Sequence, residues 1–101
     1  MLDFVKRMVE EHSELVVRTQ KLHDYIYSEA SDNDNKVEFA NKCIQLGAMK
    51  KYEEALRARL ENQNIVFESG SYFERVGTIT QEIIPSHQEI PDNTPNNGKE
   101  E

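Results

Sequence analysis

The chain has 101 residues, 37% of them hydrophobic and 31% charged, and carries a net charge of −7 from 19 acidic and 12 basic side chains. That describes one small domain with little core-forming material, and its acidic balance disfavours binding duplex nucleic acid by phosphate neutralisation. The single cysteine, Cys43, excludes an internal disulfide and a cysteine-rich zinc site, so self-association is the remaining way to stabilise so small a core.

The opening Met1-Leu2-Asp3-Phe4-Val5-Lys6-Arg7 has no apolar run behind its charges, unlike a signal peptide. No stretch approaches the roughly 20 apolar residues of a membrane span, and the expectation is a soluble intracellular protein. From residue 3 to about residue 28, Val5, Met8, Val9, His12, Leu15, Val16, Thr19, Leu22 and Ile26 recur at three- and four-residue steps, the period of one helix face. Polar His12 and Thr19 on that seam argue against a plain two-stranded coiled coil. Five turn-formers follow at residues 31–35. Asn35 with Glu38 makes a capping-box-like pair, with Asp34 or Asn35 as the cap. A connection this short predicts antiparallel neighbours.

A second helix is predicted over residues 36–61, which lack proline and are rich in good helix formers. Phe39, Leu46, Met49, Leu56 and Leu60 form one stripe. Ala40, Cys43, Ile44, Gly47, Ala48, Ala55 and Ala58 form another, made mostly of small residues. Two stripes predict two packed faces, one toward the first helix and one toward another chain. Gly47 costs about 1 kcal/mol relative to alanine inside a helix, which close approach by a second backbone or a ligand would offset. Cys43, on the small-residue stripe, is expected to be a buried, inert thiol.

Ile65-Val66-Phe67 is β-branched and aromatic, Glu68-Ser69-Gly70-Ser71 is a turn signal, and residues 72–80 alternate in part. This reads as a small β-hairpin or extended arm, with a short third helix over residues 72–84 as the alternative. From Pro85 onward the composition is that of disorder. The predicted organisation is a hairpin at 1–62, an arm at 63–84 and a disordered acidic tail at 85–101. The predicted class is all-α: an oligomeric antiparallel two-helix hairpin with a short extended or β-like arm.

His12 and His23 lie about 16 Å apart along one helix, too far to share an ion, so no metal site is expected and His12 reads as an interface or core residue. Cys43, Ser69 and Ser71 lack a nucleophile context, and residues 70–77 are not a phosphate loop. The chain therefore reads as a non-enzyme without catalytic residues or cofactor. Lys50, Lys51 and Arg57 read first as solvated charges balanced by acids such as Glu53. An antiparallel hairpin brings Arg7 and Arg59 level. Arg75, flanked by Tyr72, Phe73 and Thr78, has the residue types for gripping a phosphate and stacking on a base. The equal alternative is an aromatic pair that packs the arm onto the hairpin.

Gln45-Leu46-Gly47-Ala48-Met49, then Tyr52, Leu56 and Arg59, resembles the helical-hairpin phage proteins that act as cyclic-nucleotide sponges. These are the anti-CBASS and anti-Thoeris proteins that share one hairpin domain, with related short phage proteins of unknown role. Phe4, Arg7-Met8-Val9-Glu10-Glu11, Leu15, Leu22 and Tyr25-Ile26 agree with the opening arm of that family, so the resemblance covers about residues 2–62. It implies a hexamer in the host cytoplasm that sequesters a cyclic di- or trinucleotide or a cyclic ADP-ribose isomer between subunits, without cleaving it. By position it carries over Gln45, Gly47 and Met49 as hairpin and interface determinants, together with Arg59. The expected ligand set is then Arg59 and Arg75 on phosphates, Tyr72 and Phe73 on bases, with Arg7 and Thr78 beside them. The rival function is a protein–protein module whose hairpin engages a host or phage protein.

Overall fold

Two long helices form first along the chain, for the reasons their sequence periods give. In the computed structural model, which describes residues 1–86, α1 spans Asp3–Ile26 and α2 spans Lys36–Glu61, joined through a 3-10 turn at Glu29–Asn33. Asn35 is the cap of α2: its side-chain oxygen accepts the Glu38 backbone N–H at 2.8 Å. A polar staple closes this end of the hairpin. Asp34 accepts from Lys42 Nζ at 3.0 Å and from the Tyr25 hydroxyl at 3.1 Å, and Lys42 lies 4.2 Å from the Tyr25 ring centroid. The hydrogen bond to Asp34 raises the Lys42 ammonium above its ordinary range.

After α2 the chain reverses through Asn64, whose φ of 65° is one that asparagine tolerates. Three antiparallel strands follow in the order β1 (Ile65–Glu68), β2 (Ser71–Val76) and β3 (Ile79–Ile83). Ser69 and Gly70, at φ 53° and 82°, give the two left-handed positions of a type I′ turn between β1 and β2. Gly77, at φ 63° and first of the two residues between β2 and β3, gives the single left-handed position of a type II′ turn. The fold is therefore α+β, and the all-α expectation is corrected: the arm is a complete three-stranded sheet. The β-branched and aromatic run of β1 and β2 drives this, and the second turn splits what reads in sequence as one segment.

Register decides which side chains face the hairpin. Phe67, Tyr72 and Ile83 lie side by side across the three strands, with Ile65 two positions before Phe67 on the same face. That face closes one core with Val5, Met8, Val9 and Leu15 of α1 and Leu56 and Leu60 of α2, with Met49, Phe67 and Ile83 packed partly against it. Leu56, Leu60, Ile65 and Tyr72 are essentially sealed from solvent. Each such aliphatic side chain stabilises the fold by about 1.5–3 kcal/mol relative to exposure.

The sheet covers one side of the hairpin only. The small-residue stripe of α2 is exposed throughout, from Ala40 to Ala58, with Ile44 at 70% exposure. Cys43 is exposed there as well, which corrects the expectation of a buried thiol: no element among the described residues covers that face. No helix is long and apolar enough to cross a membrane, among the described residues. The tail expected to be disordered lies, from residue 87 on, outside the described residues.

Candidate functional site

The polar centre of the molecule is His12, whose ring is fully buried where α1, α2 and the sheet meet. Its Nδ1 is 2.6 Å from the Tyr72 hydroxyl of β2, and its Nε2 is 2.8 Å from Oε2 of Glu53 on α2. An ionised carboxylate only accepts, so Nε2 carries the hydrogen and donates, and Nδ1 accepts from the phenol. Glu53 is itself largely buried, and its other oxygen accepts from Arg57 Nη2 at 2.9 Å one turn further along. A continuous chain of hydrogen bonds thus runs from the sheet, through the core, to a cation at the surface.

Aromatic edges hold the ring of His12 in place. Phe67 meets it at 4.8 Å between centroids and 68° between planes, and Tyr72 at 5.5 Å and 88°. Burial, and then the negative charge of Glu53, pushes the Tyr72 phenol well above its usual range, against a smaller opposing hydrogen bond with Ser13. Tyr72 therefore stays a neutral donor. The order phenol, imidazole, carboxylate has the outline of an activated nucleophile, but its outer member is 1% exposed and faces the core. The arrangement orients groups and offers no accessible attacking atom.

At its surface end the chain opens into a groove of about 260 Å³ between α1 and α2. Lys50, Glu53 and Arg57 line one wall, Val16, Thr19, Gln20 and His23 the other, and Phe67 of β1 closes the base. Thr19 Oγ1 is buried in the wall without a hydrogen-bond partner among the described residues. A buried hydroxyl left in that state costs about 1–3 kcal/mol, which a polar ligand atom would relieve. Glu53 is already engaged by His12 and Arg57, and among the described residues Lys50 has no ion-pair partner. Beyond the rim, hydrogen bonds from Gln20 and then His23 hold Asp24 below the usual carboxylate range. The groove combines two cations, one of them offset by the Glu53 carboxylate, with the Thr19 hydroxyl and an aromatic base, a combination suited to an anionic group attached to something apolar or planar.

The residues expected from sequence fall in different places. Tyr72 is in the core, where its hydroxyl serves His12. Phe73 and Arg75 point to the opposite face of the sheet, sharing a shallow hollow of about 240 Å³ with Val66, Glu68 and Thr80. Thr78 sits exposed at the tip of the last turn. Arg59 borders a separate hollow of about 290 Å³ with Phe4, Met8 and Asn62, while Arg7 is exposed on α1. Gln45 and Gly47 are exposed, a Cβ at Gly47 would meet nothing within 4 Å, and Met49 packs partly against the core. The structure keeps Arg75 with Phe73 on the outer sheet face, but separates that pair from Tyr72 in the core and from Arg59 in its own hollow.

The groove assembles Lys50 and Arg57, noted in sequence only as surface charges, with Glu53, Thr19 and Phe67, read there as a balancing acid, a polar seam residue and part of a strand and given no site role. A family model described as Sequestin matches residues 2–62, well over half of the chain. The chain belongs to the Sequestin family. Comparison with curated proteins and with solved structures returns no match. For this Sequestin the family name points to sequestering a small ligand, a binding role and not a catalytic one, which suits a site whose groups are held in place. The matched segment supplies both walls of the groove, whereas Phe67 and Tyr72 lie beyond it.

Proposed function

We propose that this Sequestin captures a nucleotide second messenger of an antiviral immune system and holds it without cleaving it. The candidates are a cyclic di- or trinucleotide or a cyclic ADP-ribose isomer, and the setting is a phage-infected host cytoplasm. The carrying observation is the groove: Lys50 and Arg57 suit a phosphate, the Thr19 hydroxyl a further oxygen, and Phe67 a base or ribose. Nothing in this reading requires a nucleophile.

Capture is tightest when the site is made before the ligand arrives, because little ordering is then charged against affinity. The reading includes self-association through the exposed small-residue face of α2, where Gln45, Gly47 and Ile44 would meet a second copy. Assembly would bring exposed Arg7, Arg59, Arg75 and Thr78, with half-buried Phe73, of one copy toward the ligand of another.

Thermal shift against a panel of these messengers, with the recovered ligand checked for intactness, tests the proposal. A true ligand at a hundredfold excess over its dissociation constant stabilises the protein by about 2.7 kcal/mol. Lys50→Ala removes that gain if the groove is the site, and Arg75→Ala removes it if the outer sheet face is. No shift across the panel, with both variants folded, rejects the proposal and favours the protein-binding hairpin.

A further inference from the structure

We propose that Tyr72 is a positioning residue for the groove: its hydroxyl fixes the His12 ring, the ring fixes Glu53, and Glu53 holds the Arg57 guanidinium where an anion is received. The inference rests on reading the groove as the ligand site, and it assigns to the sheet a part in capture that the matched segment alone does not contain.

A Glu–Arg pair four residues apart on a helix ordinarily holds its partners loosely, because both side chains sample many rotamers in water. The pair Glu53–Arg57 differs in its other attachment. The second carboxylate oxygen takes a 2.8 Å hydrogen bond from a ring that is fully buried, and that ring is held in turn at 2.6 Å by a phenol that is 1% exposed. Phe67 and Tyr72 pack their rings against it at 4.8 and 5.5 Å between centroids, which leaves the phenol hydroxyl to set its rotation. The carboxylate is thus anchored to the core, and the guanidinium takes its orientation from the carboxylate. Lys50 has no ion-pair partner among the described residues, so the two cations of the groove differ in kind: one tethered to the core through Glu53, one not. Fixing Arg57 in advance removes an ordering step from binding.

Exchange with water of the Arg57 Nη hydrogens, the group that bonds to Glu53, measured by NMR on the full chain without ligand, reads the proposal directly. Tyr72→Phe keeps the ring and removes only the hydroxyl, His12→Gln keeps a donor for Glu53 but breaks the link to Tyr72, and Glu53→Ala, which removes the acceptor, serves as the limit of a released Arg57. The expected result is faster Arg57 exchange in Tyr72→Phe and His12→Gln, by about tenfold toward the Glu53→Ala limit. Calorimetric titration with inorganic pyrophosphate should then show affinity weakened by about two- to tenfold in the same variants, the size expected for one lost ordering contribution. Arg57 exchange equal to that of the wild type in whichever of the two variants folds overturns the proposal. So does unchanged affinity in Tyr72→Phe when Lys50→Ala has lost pyrophosphate. If the wild type does not bind pyrophosphate, or Lys50→Ala binds it as the wild type does, the groove reading itself fails. The exchange data, read on free protein, tell that failure apart from the failure of the relay.

Discussion

The helical hairpin and the sheet contribute unequally to the same core. The hairpin supplies most of the apolar side chains, yet its loop half, from Thr19 to Phe39, buries only Ile26 and Ser31 and relies on the Asp34–Lys42–Tyr25 staple. Its open half, where the sheet docks, carries nearly all of the sealed residues. The sheet adds few side chains, but Ile65 and Tyr72 are sealed, and Tyr72 both fills volume and satisfies His12. A region outside the matched segment therefore completes a polar centre whose other members lie inside it. The segment that defines a family and the segment that finishes its site need not coincide.

That comparison breaks most sharply at the docking residue. Tyr72→Ala should lower stability by about 3–5 kcal/mol in a denaturant titration, since it empties a large sealed site and strips His12 of a partner. If helical circular dichroism persists while the protection of sheet amides is lost, the hairpin stands alone; joint loss means that the two regions are one cooperative unit. Next in size, His12→Leu should cost about 1–3 kcal/mol, because it takes one hydrogen-bond partner from the Tyr72 hydroxyl and one from the partly buried Glu53 carboxylate. A neutral outcome in the same titration would mean that water replaces the ring.

Alkaline pH sharpens the sheet side of the comparison. The folded-state value of the Tyr72 phenol is raised by burial, so its contribution to stability is complete below the ordinary phenol range and falls away as pH rises above about 10. The loss approaches about 1.4 kcal/mol per pH unit for one group, and Tyr72→Phe should abolish that part of the slope in denaturant midpoints read from pH 9 to 11. The smallest effect falls on the open face of the hairpin. Gly47→Ala should stabilise the isolated chain by about 0.5–1 kcal/mol, since the added Cβ meets nothing. A destabilised oligomer with an unperturbed monomer, by light scattering and melting together, would place another chain against that glycine.

Local signals made the helices legible. The three- and four-residue period of α1 and the cap at Asn35 are written in neighbouring residues, and α2 begins and ends where propensity places it. His12 reads in sequence as an interface or core residue, a polar member of an apolar stripe, and the structure places it in the core. The turn centred near residue 31 also puts His12 level with the neighbourhood of Lys50 and Glu53, so that half of the site was within reach of hairpin register. The other half was not. Tyr72 lies sixty residues from His12, and no local pattern announces that pairing. The outer strand escaped because Ile79-Thr80-Gln81-Glu82-Ile83 is mostly polar and exposed, held by ladder bonds to β2 more than by burial. Cys43 escaped for a different reason: periodicity identifies two apolar stripes on α2 without saying which one the chain itself covers.

The hydrogen bond between His12 and Tyr72 also imposes an order in time. Translation delivers the hairpin before the strands, so Val5, Val9, Leu56 and Leu60 wait for their covering sheet. At about 5–20 residues per second, synthesis of residues 63–84 takes on the order of one to four seconds. Through that interval a growing chain presents an apolar strip to the ribosome surface and to chaperones. Codons that slow elongation just after Asn62 would lengthen the exposure, and yield in the cell, as distinct from stability in the tube, would respond to them.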